Sequence, residues 1–317
     1  MATIQTVCGP ISATQLGFTL PHEHLYIGNW NARMADPDWY PEEEGLSFIT
    51  PVIRQAYNSG VRTIIDASPF NLGRDIRILE AVSRATGMNI IASTGVFPDE
   101  SILLRSIEEE SLVRFLVKEA TVGVQGTNVR CGVIKCGTGE LGLTPINLKI
   151  LRACGRAQAM TGLPVITHCR PENTRIGLFQ QDILEQTGAD LSKVVIGHFR
   201  KGDPLDYAEN VIRRGSFLAI DQMNFNGHCL QYNLQVIPEM CRRGWTEHLL
   251  FSHDAAICFN HSRWCDYDHS QYINYAPDSL SFLQRVVIPG LLDRGVSQEQ
   301  IETITIRNPQ RLFGQDV

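Results

Sequence analysis

His22 and His24 lie two residues apart in the stretch G-F-T-L-P-H-E-H-L. On a β-strand, residues i and i+2 point to one face. Neutral imidazole is the commonest side-chain ligand for catalytic metals, so a strand carrying H-x-H offers two nitrogens to one ion. Taken alone, the pair suits equally a buried and an exposed histidine beside a turn. Further ligand-type residues close other apolar runs: Lys135 in R-C-G-V-I-K-C-G, His168 in L-P-V-I-T-H-C, His198 in K-V-V-I-G-H-F and Asp254 in H-L-L-F-S-H-D-A. Burying imidazoles, an amine and a carboxylate together is costly unless a cation compensates them. A metal site makes the combination reasonable.

The elements that must position these residues follow from hydrophobic patterning. Apolar runs at 17–25, 61–68, 89–96, 130–137, 163–169, 193–199, 216–223 and 248–255 are rich in Ile and Val on both faces. That is the signature of parallel strands covered by helices. Helical spacing fills the intervals, as in 101–120 and in 146–160, where Thr161-Gly162 gives a stop. Pro164 then opens a strand, where a missing N–H is tolerated. Strands alternating with helices predict an α/β (β/α)8 TIM barrel, a single domain over 1–317. An open doubly wound sheet would carry a glycine-rich phosphate turn after its first strand; here H-E-H-L-Y-I-G-N-W follows instead. Barrel active sites sit at the C-terminal ends of the strands, which is where all six residues fall.

Composition excludes other classes. At 43% hydrophobic and 20% charged the chain is ordinary globular material. A net charge of −6 and the lack of a basic run argue against a nucleic-acid partner. No apolar run nears the roughly 20 residues needed to span a bilayer, so no membrane association is expected. M-A-T-I-Q-T-V-C-G-P lacks a charged n-region and an apolar h-region, so a cytoplasmic protein is expected. The nine cysteines never form C-x-x-C. Cys131, Cys136 and Cys169 sit in apolar runs and read as reduced, buried thiols, without the spacing of a cysteine zinc site.

The whole set (H-x-H, a fourth-strand Lys, fifth- and sixth-strand His, an eighth-strand Asp) resembles the amidohydrolase superfamily and, more narrowly, its phosphotriesterase-like family. The opening V-C-G-P-I-S-A-T-Q-L-G-F-T-L-P-H-E-H-L is similar to that family's start, as are G-V-I-K, G-L-P-V-I-T-H, V-V-I-G-H, S-H-D and the late N-P-Q-R-L-F. The resemblance implies a binuclear centre of divalent metal ions. His22, His24 and Asp254 would hold the more buried ion, and His168 and His198 the more exposed one. Lys135, converted by carbon dioxide to a carbamate, would bridge them, since a protonated lysine is donor-only. Zinc is the expected metal, and manganese, cobalt or iron also suit such N/O ligands. A metal-bridging hydroxide would attack the substrate, with Asp254 as the base. The resemblance also implies a homodimer, and Asp221 as a group behind the ligands, in proton relay or substrate contact.

Other residues read more plainly. Glu23 alternates with two ligands and should face away from the barrel axis as a structural residue. His253 should do likewise beside Asp254, supporting a ligand rather than being one. His228, His248, His261 and His269 fall in loops or at strand starts and receive no ligand role. Asp66 ends the second strand.

Substrate choice lies in the loops. Family acyl-homoserine lactonases usually carry a tyrosine after T-G in strand three and an arginine after the strand-seven aspartate. Here Val96-Phe97 and Gln222 stand there. Phosphorylated-sugar lactonases share the arginine position after G-H but carry a G-G-x-P-G-like stretch where this chain has D-Y-D-H-S-Q-Y-I-N-Y-A-P. Arg200 and Lys201 are candidates for clamping an anionic substituent of a small-molecule substrate, against a merely solvated basic pair. Trp30, Trp39, Tyr40, Phe259, Arg263, Trp264, Tyr267, Tyr272 and Tyr275 could wall a pocket or pack loops. The expectation is hydrolysis of a lactone or other carboxylic ester. A phosphotriesterase or an amidase is the alternative, and a Schiff-base aldolase through Lys135 the remote one.

Overall fold

The computed structural model describes residues 3–36, 42–172, 174–223, 229–259 and 279–314. An antiparallel hairpin, β1 (Thr3–Thr6) and β2 (Gly9–Ser12), precedes the main sheet. That sheet contains β3 (Phe18–Ile27), β4 (Val61–Asp66), β5 (Asn89–Gly95), β6 (Val133–Thr138), β7 (Val165–Cys169), β8 (Val194–Ile196), β9 (Phe217–Ile220), β10 (Leu249–Phe251) and β11 (Ala256–Phe259). All pairs are parallel, in the order β10-β9-β8-β7-β6-β5-β4-β3-β11.

The two ends of that order are consecutive in the chain. β10 and β11 are halves of one pass, interrupted at 252–255. One half pairs with β9 and the other with β3, so the sheet curls back on itself. The Asp254 N–H donates to the His22 carbonyl (3.1 Å) and the His24 N–H to the Ala255 carbonyl (2.9 Å) across the junction. The result is the expected (β/α)8 barrel with its eighth strand broken. Asp254 occupies the break in the left-handed region, φ 54°.

Doubly apolar strands make this barrel because each feeds two cores. Ile65, Ile91, Val133, Ile166, Val195, Ala219 and Leu250 pack together in the lumen, with Ile4 and Leu16. Their neighbours Ile64, Ile90, Ile134, Val165, Val194, Leu218 and Leu249 face the helices. Alternation by two sets these directions. Two residues beyond lumen positions come Lys135 after Val133, His168 after Ile166 and Asp221 after Ala219. The site is the polar layer above the apolar lumen.

The helix expected over 101–120 is two helices, Ile102–Ser106 and Glu109–Thr121. Ile107 and Glu108 are extended between them. Tertiary contacts hold this break: the Lys149 ammonium donates to the Arg105 and Ile107 carbonyls at 3.4 and 2.8 Å. The other expected helix runs Pro145–Thr161, capped by Thr144 and stopped by Gly162 at φ 68°. Cys131, Cys136 and Cys169 are buried thiols outside any disulfide. No helix among the described residues is long and apolar enough to cross a membrane.

One ion pair lies between barrel and helices. Arg74 is buried, and its guanidinium meets Glu119 at 2.6 Å and also donates to the Ser93 carbonyl. Thr94 Oγ1 adds a bond to Glu119 at 2.7 Å. Glu119→Ala leaves the arginine charge buried and unpaired, which costs about 3–5 kcal/mol. Denaturant unfolding should show that loss as a lowered midpoint at unchanged m-value.

Candidate metal centre

The first strand is built to aim two histidines inward. The β3–β4 pairing shifts register between Leu20 and Glu23, around Pro21. Proline lacks the N–H a regular ladder needs, and bulges re-aim side chains. Leu20 and Leu25 join the outer core, while His22 and His24 turn toward the axis.

His198 needs a different device. Ile196 faces outward, so plain alternation would send His198 outward too. The backbone instead turns left-handed at His198, φ 60°, and swings the ring to the axis. Gly197 permits the turn, because a Cβ there would strike the Thr167 carbonyl. Gly95 does similar work beside the Lys135 backbone, where it has φ 114° and no room for a Cβ.

The polar groups converge closely. Lys135 Nζ lies 2.6 Å from His22 Nε2. His198 Nε2 lies 2.7 Å from His168 Nδ1. Asp254 Oδ1 is 3.5 Å from His22 Nε2 and 3.3 Å from His24 Nε2. Behind them, Asp221 joins two of these histidines at once. Its Oδ2 meets His22 Nδ1 at 2.6 Å, and its Oδ1 meets His198 Nδ1 at 2.9 Å and accepts the His198 N–H at 3.0 Å. These are hydrogen-bond lengths. They assign the ring proton to Nδ1 in both histidines and leave each Nε2 lone pair facing the centre. Ser68 Oγ approaches His24 Nδ1 at 2.9 Å.

Electrostatics agree with a cation at the centre. Burial, with Lys135 beside it, pushes His22 down to about 4. His168 is also held well below the usual imidazole value, by burial, then by His198 and Lys135. Burial lowers the Lys135 amine and so favours its neutral form. For Asp221, burial pushes the carboxyl up, but His198 and His22 outweigh it and the net direction is down. Asp254 behaves likewise under His22, His198 and His24. Neutral imidazoles turn lone pairs toward a carboxylate, acceptor facing acceptor, and a divalent ion resolves that clash. The donor set therefore fits metal.

The remaining predicted residues separate clearly. Asp221 sits behind two histidines, bonded to His22 and His198. Arg200 lies beside His198 with its guanidinium turned to protein acceptors. It is buried and donates to the His198 and Cys169 carbonyls and to Glu172, at 3.0, 3.1 and 2.6 Å. Lys201 is exposed. Glu23 and His253 face outward and bond each other at 2.8 Å. His248 bonds the Ser216 carbonyl, away from the ligands. Asp66 accepts the Leu25 and Ser68 N–H groups at 2.8 and 2.9 Å. Val96 is buried, and the Phe97 ring lies 5.0 Å from that of His168. Trp30, the first residue of the helix Trp30–Ala35, donates from Nε1 to the Arg74 carbonyl. His228, His261, His269, Trp39, Tyr40, Arg263, Trp264, Tyr267, Tyr272 and Tyr275 lie outside the described residues.

Sequence reasoning did not find Ser68, for which a serine after a strand-end aspartate gives little signal. It noticed Gln222 only as a departure. Gln222 Nε2 in fact donates to Asp254 Oδ2 at 2.9 Å. Gln222→Leu removes one bond to that carboxylate, worth about 1 kcal/mol. Steady-state kinetics should show a roughly fivefold fall in kcat/KM, carried by kcat.

A (β/α)8 barrel with histidines, a lysine and a carboxylate gathered at its strand ends defines the class of metal-dependent barrel hydrolases. The chain belongs to the phosphotriesterase family, whose model matches residues 2–313. It is 31% identical to the phosphotriesterase homology protein of Mycobacterium tuberculosis, with 99% of this chain and 98% of the relative covered. It is 32% identical to the aryldialkylphosphatase of Saccharolobus solfataricus, with 96% of each covered. It is 28% identical to the N-acetyltaurine hydrolase of Xenopus tropicalis, with 97% of each covered.

Proposed function

We propose that the chain is a binuclear metal hydrolase that cleaves a lactone or another carboxylic ester. The observation that carries this proposal is the convergence of His22, His24, Lys135, His168, His198 and Asp254 above the barrel lumen. His22, His24 and Asp254 would hold one divalent ion and His168 and His198 the other, with Lys135 between them as a carbamate. Zinc is the first candidate. When bound, the ions supply Lewis acidity that polarises the electrophilic centre and acidifies water.

The protein's own groups do the rest. Asp221 and Ser68 fix the imidazole orientations. In its neutral form, which burial favours, Lys135 can add its nitrogen lone pair to the carbon of CO2. A nitrogen–carbon bond forms, a proton leaves the nitrogen, and an anionic oxygen ligand results. Asp254 takes the proton from the attacking water and delivers it to the leaving oxygen. Gln222 holds the carboxylate in place by its distal oxygen.

The relatives give a second reading. One is named an aryldialkylphosphatase and another an N-acetyltaurine hydrolase, so phosphotriester or amide cleavage is the alternative for this chain. The metal-loaded protein should be assayed against matched lactones, aryl esters, phosphotriesters and N-acyl amino compounds. The proposal expects the highest kcat/KM on a lactone or ester. A higher value on phosphotriesters or amides transfers the assignment to that bond, and no hydrolysis of any of them ends it.

A further inference from the structure

Glu23 stands between two ligands in H-E-H yet points away from them, and the chemistry above makes no use of it. It is wholly buried. Its Oε1 accepts Ser252 Oγ at 2.8 Å, the His253 backbone N–H at 2.9 Å and His253 Nδ1 at 2.8 Å. Its Oε2 accepts the Ala255 N–H at 2.8 Å. All four donors come from 252–255, the break in the eighth strand, and they straddle Asp254.

The bonds explain how that break is held. In a regular strand, successive N–H groups point to opposite sides. Here the N–H groups of residues 253, 254 and 255 all turn to β3, the outer two to Glu23 and the middle one to the His22 carbonyl. That turn requires φ 54° at Asp254, a conformation disfavoured for a residue with a Cβ. The gathered donors compensate for it. Ser252 Oγ also accepts the His22 N–H at 3.0 Å, and His253 Nε2 accepts the Leu283 N–H at 3.4 Å. One carboxylate thus connects the ligand strand, the break and the segment that follows it.

We infer that Glu23 is a positioning residue for Asp254: by clamping both sides of the strand break it sets the direction of that carboxylate toward His22 and His24. This rests on the proposal that Asp254 is a metal ligand. Four donors aimed at two oxygens suit an acceptor-only carboxylate. In Glu23→Gln one oxygen becomes an NH2 group facing an N–H donor, and the clamp opens on one side.

The test uses purified full-length protein, stripped of metal and titrated with Co2+, read by visible absorption and by equilibrium dialysis. Wild type, Asp254→Asn, Glu23→Gln, their double variant and Leu112→Ala are compared, with thermal melts for each. Leu112 is buried in the helix Glu109–Thr121, remote from the break, and controls for general loss of stability. Glu23→Gln should weaken one Co2+ equivalent by about 10- to 100-fold and alter its absorption band as Asp254→Asn does. The double variant should be no weaker than the worse single one. Leu112→Ala should melt lower but keep the wild-type band and affinity. Wild-type Co2+ binding by Glu23→Gln, with Asp254→Asn impaired, overturns the inference. So does a loss matched by Leu112→Ala at equal melting temperature. Wild-type binding by Asp254→Asn instead overturns the ligand role on which the inference rests. If Glu23→Gln does not fold, Glu23→Asp, which keeps the charge but draws the carboxylate back from its donors, decides: a several-fold weakening supports the clamp and unchanged affinity overturns it.

Discussion

Lys135→Ala is expected to lower kcat/KM by about a thousandfold or more, a loss of about 4 kcal/mol of transition-state stabilisation. The substitution removes a buried amine 2.6 Å from His22 Nε2 that, in the proposed centre, would become an anionic oxygen donor. Its cost should fall on metal content and turnover together. The smaller side chain leaves space beside His22 Nε2. A short carboxylic acid such as propionate should enter it, stand in for the carbamate and restore part of the activity in a saturable way. Steady-state assays with and without propionate check this, alongside metal analysis. Full activity without Lys135 would remove the carbamate from the account. Borohydride trapping of a carbonyl compound on wild-type Lys135 would favour the Schiff-base alternative.

Asp254→Asn is the second large effect. Asparagine is well suited to this position as a probe. It is tolerated at positive φ better than most residues, so the left-handed break at φ 54° should survive. What disappears is the charge and the basic oxygen. Loss of a general base is worth about 10²–10⁴ in rate, and the fall should appear in kcat rather than KM. Affinity for one of two metal equivalents should fall with it. A variant with unchanged kcat would leave Asp254 a structural residue.

The barrel was legible because alternation and burial agree along most of its strands. Ile65, Ile91, Val133 and Ile166 line the lumen as the period of two demands, and Lys135 and His168 follow two residues later on the same face. The same period read Glu23 and His253 correctly as outward. It fails for His198, whose neighbours in β8 would direct it to the helices. A left-handed turn after Gly197 reverses it, and no local pattern announces that turn. The interrupted eighth strand was invisible for a similar reason. H-L-L-F-S-H-D-A reads as one continuous run, while the break depends on Glu23 from the far side of the sequence. For Arg200, proximity to His198 in sequence says where the residue begins and not where a long side chain ends. Its guanidinium found two carbonyls and Glu172 within reach. Ser68 and Gln222 act through single hydrogen bonds to His24 and Asp254, and such contacts exist only once the strands are assembled.

The central claim is that these side chains form one two-metal centre. Elemental analysis of the purified, metal-loaded protein tests it most directly, with Lys135→Ala and Asp254→Asn in parallel. The account predicts about two divalent ions per wild-type chain and a clear loss in each variant. Wild-type protein that binds no divalent ion after loading, or variants that retain the full complement, would contradict it.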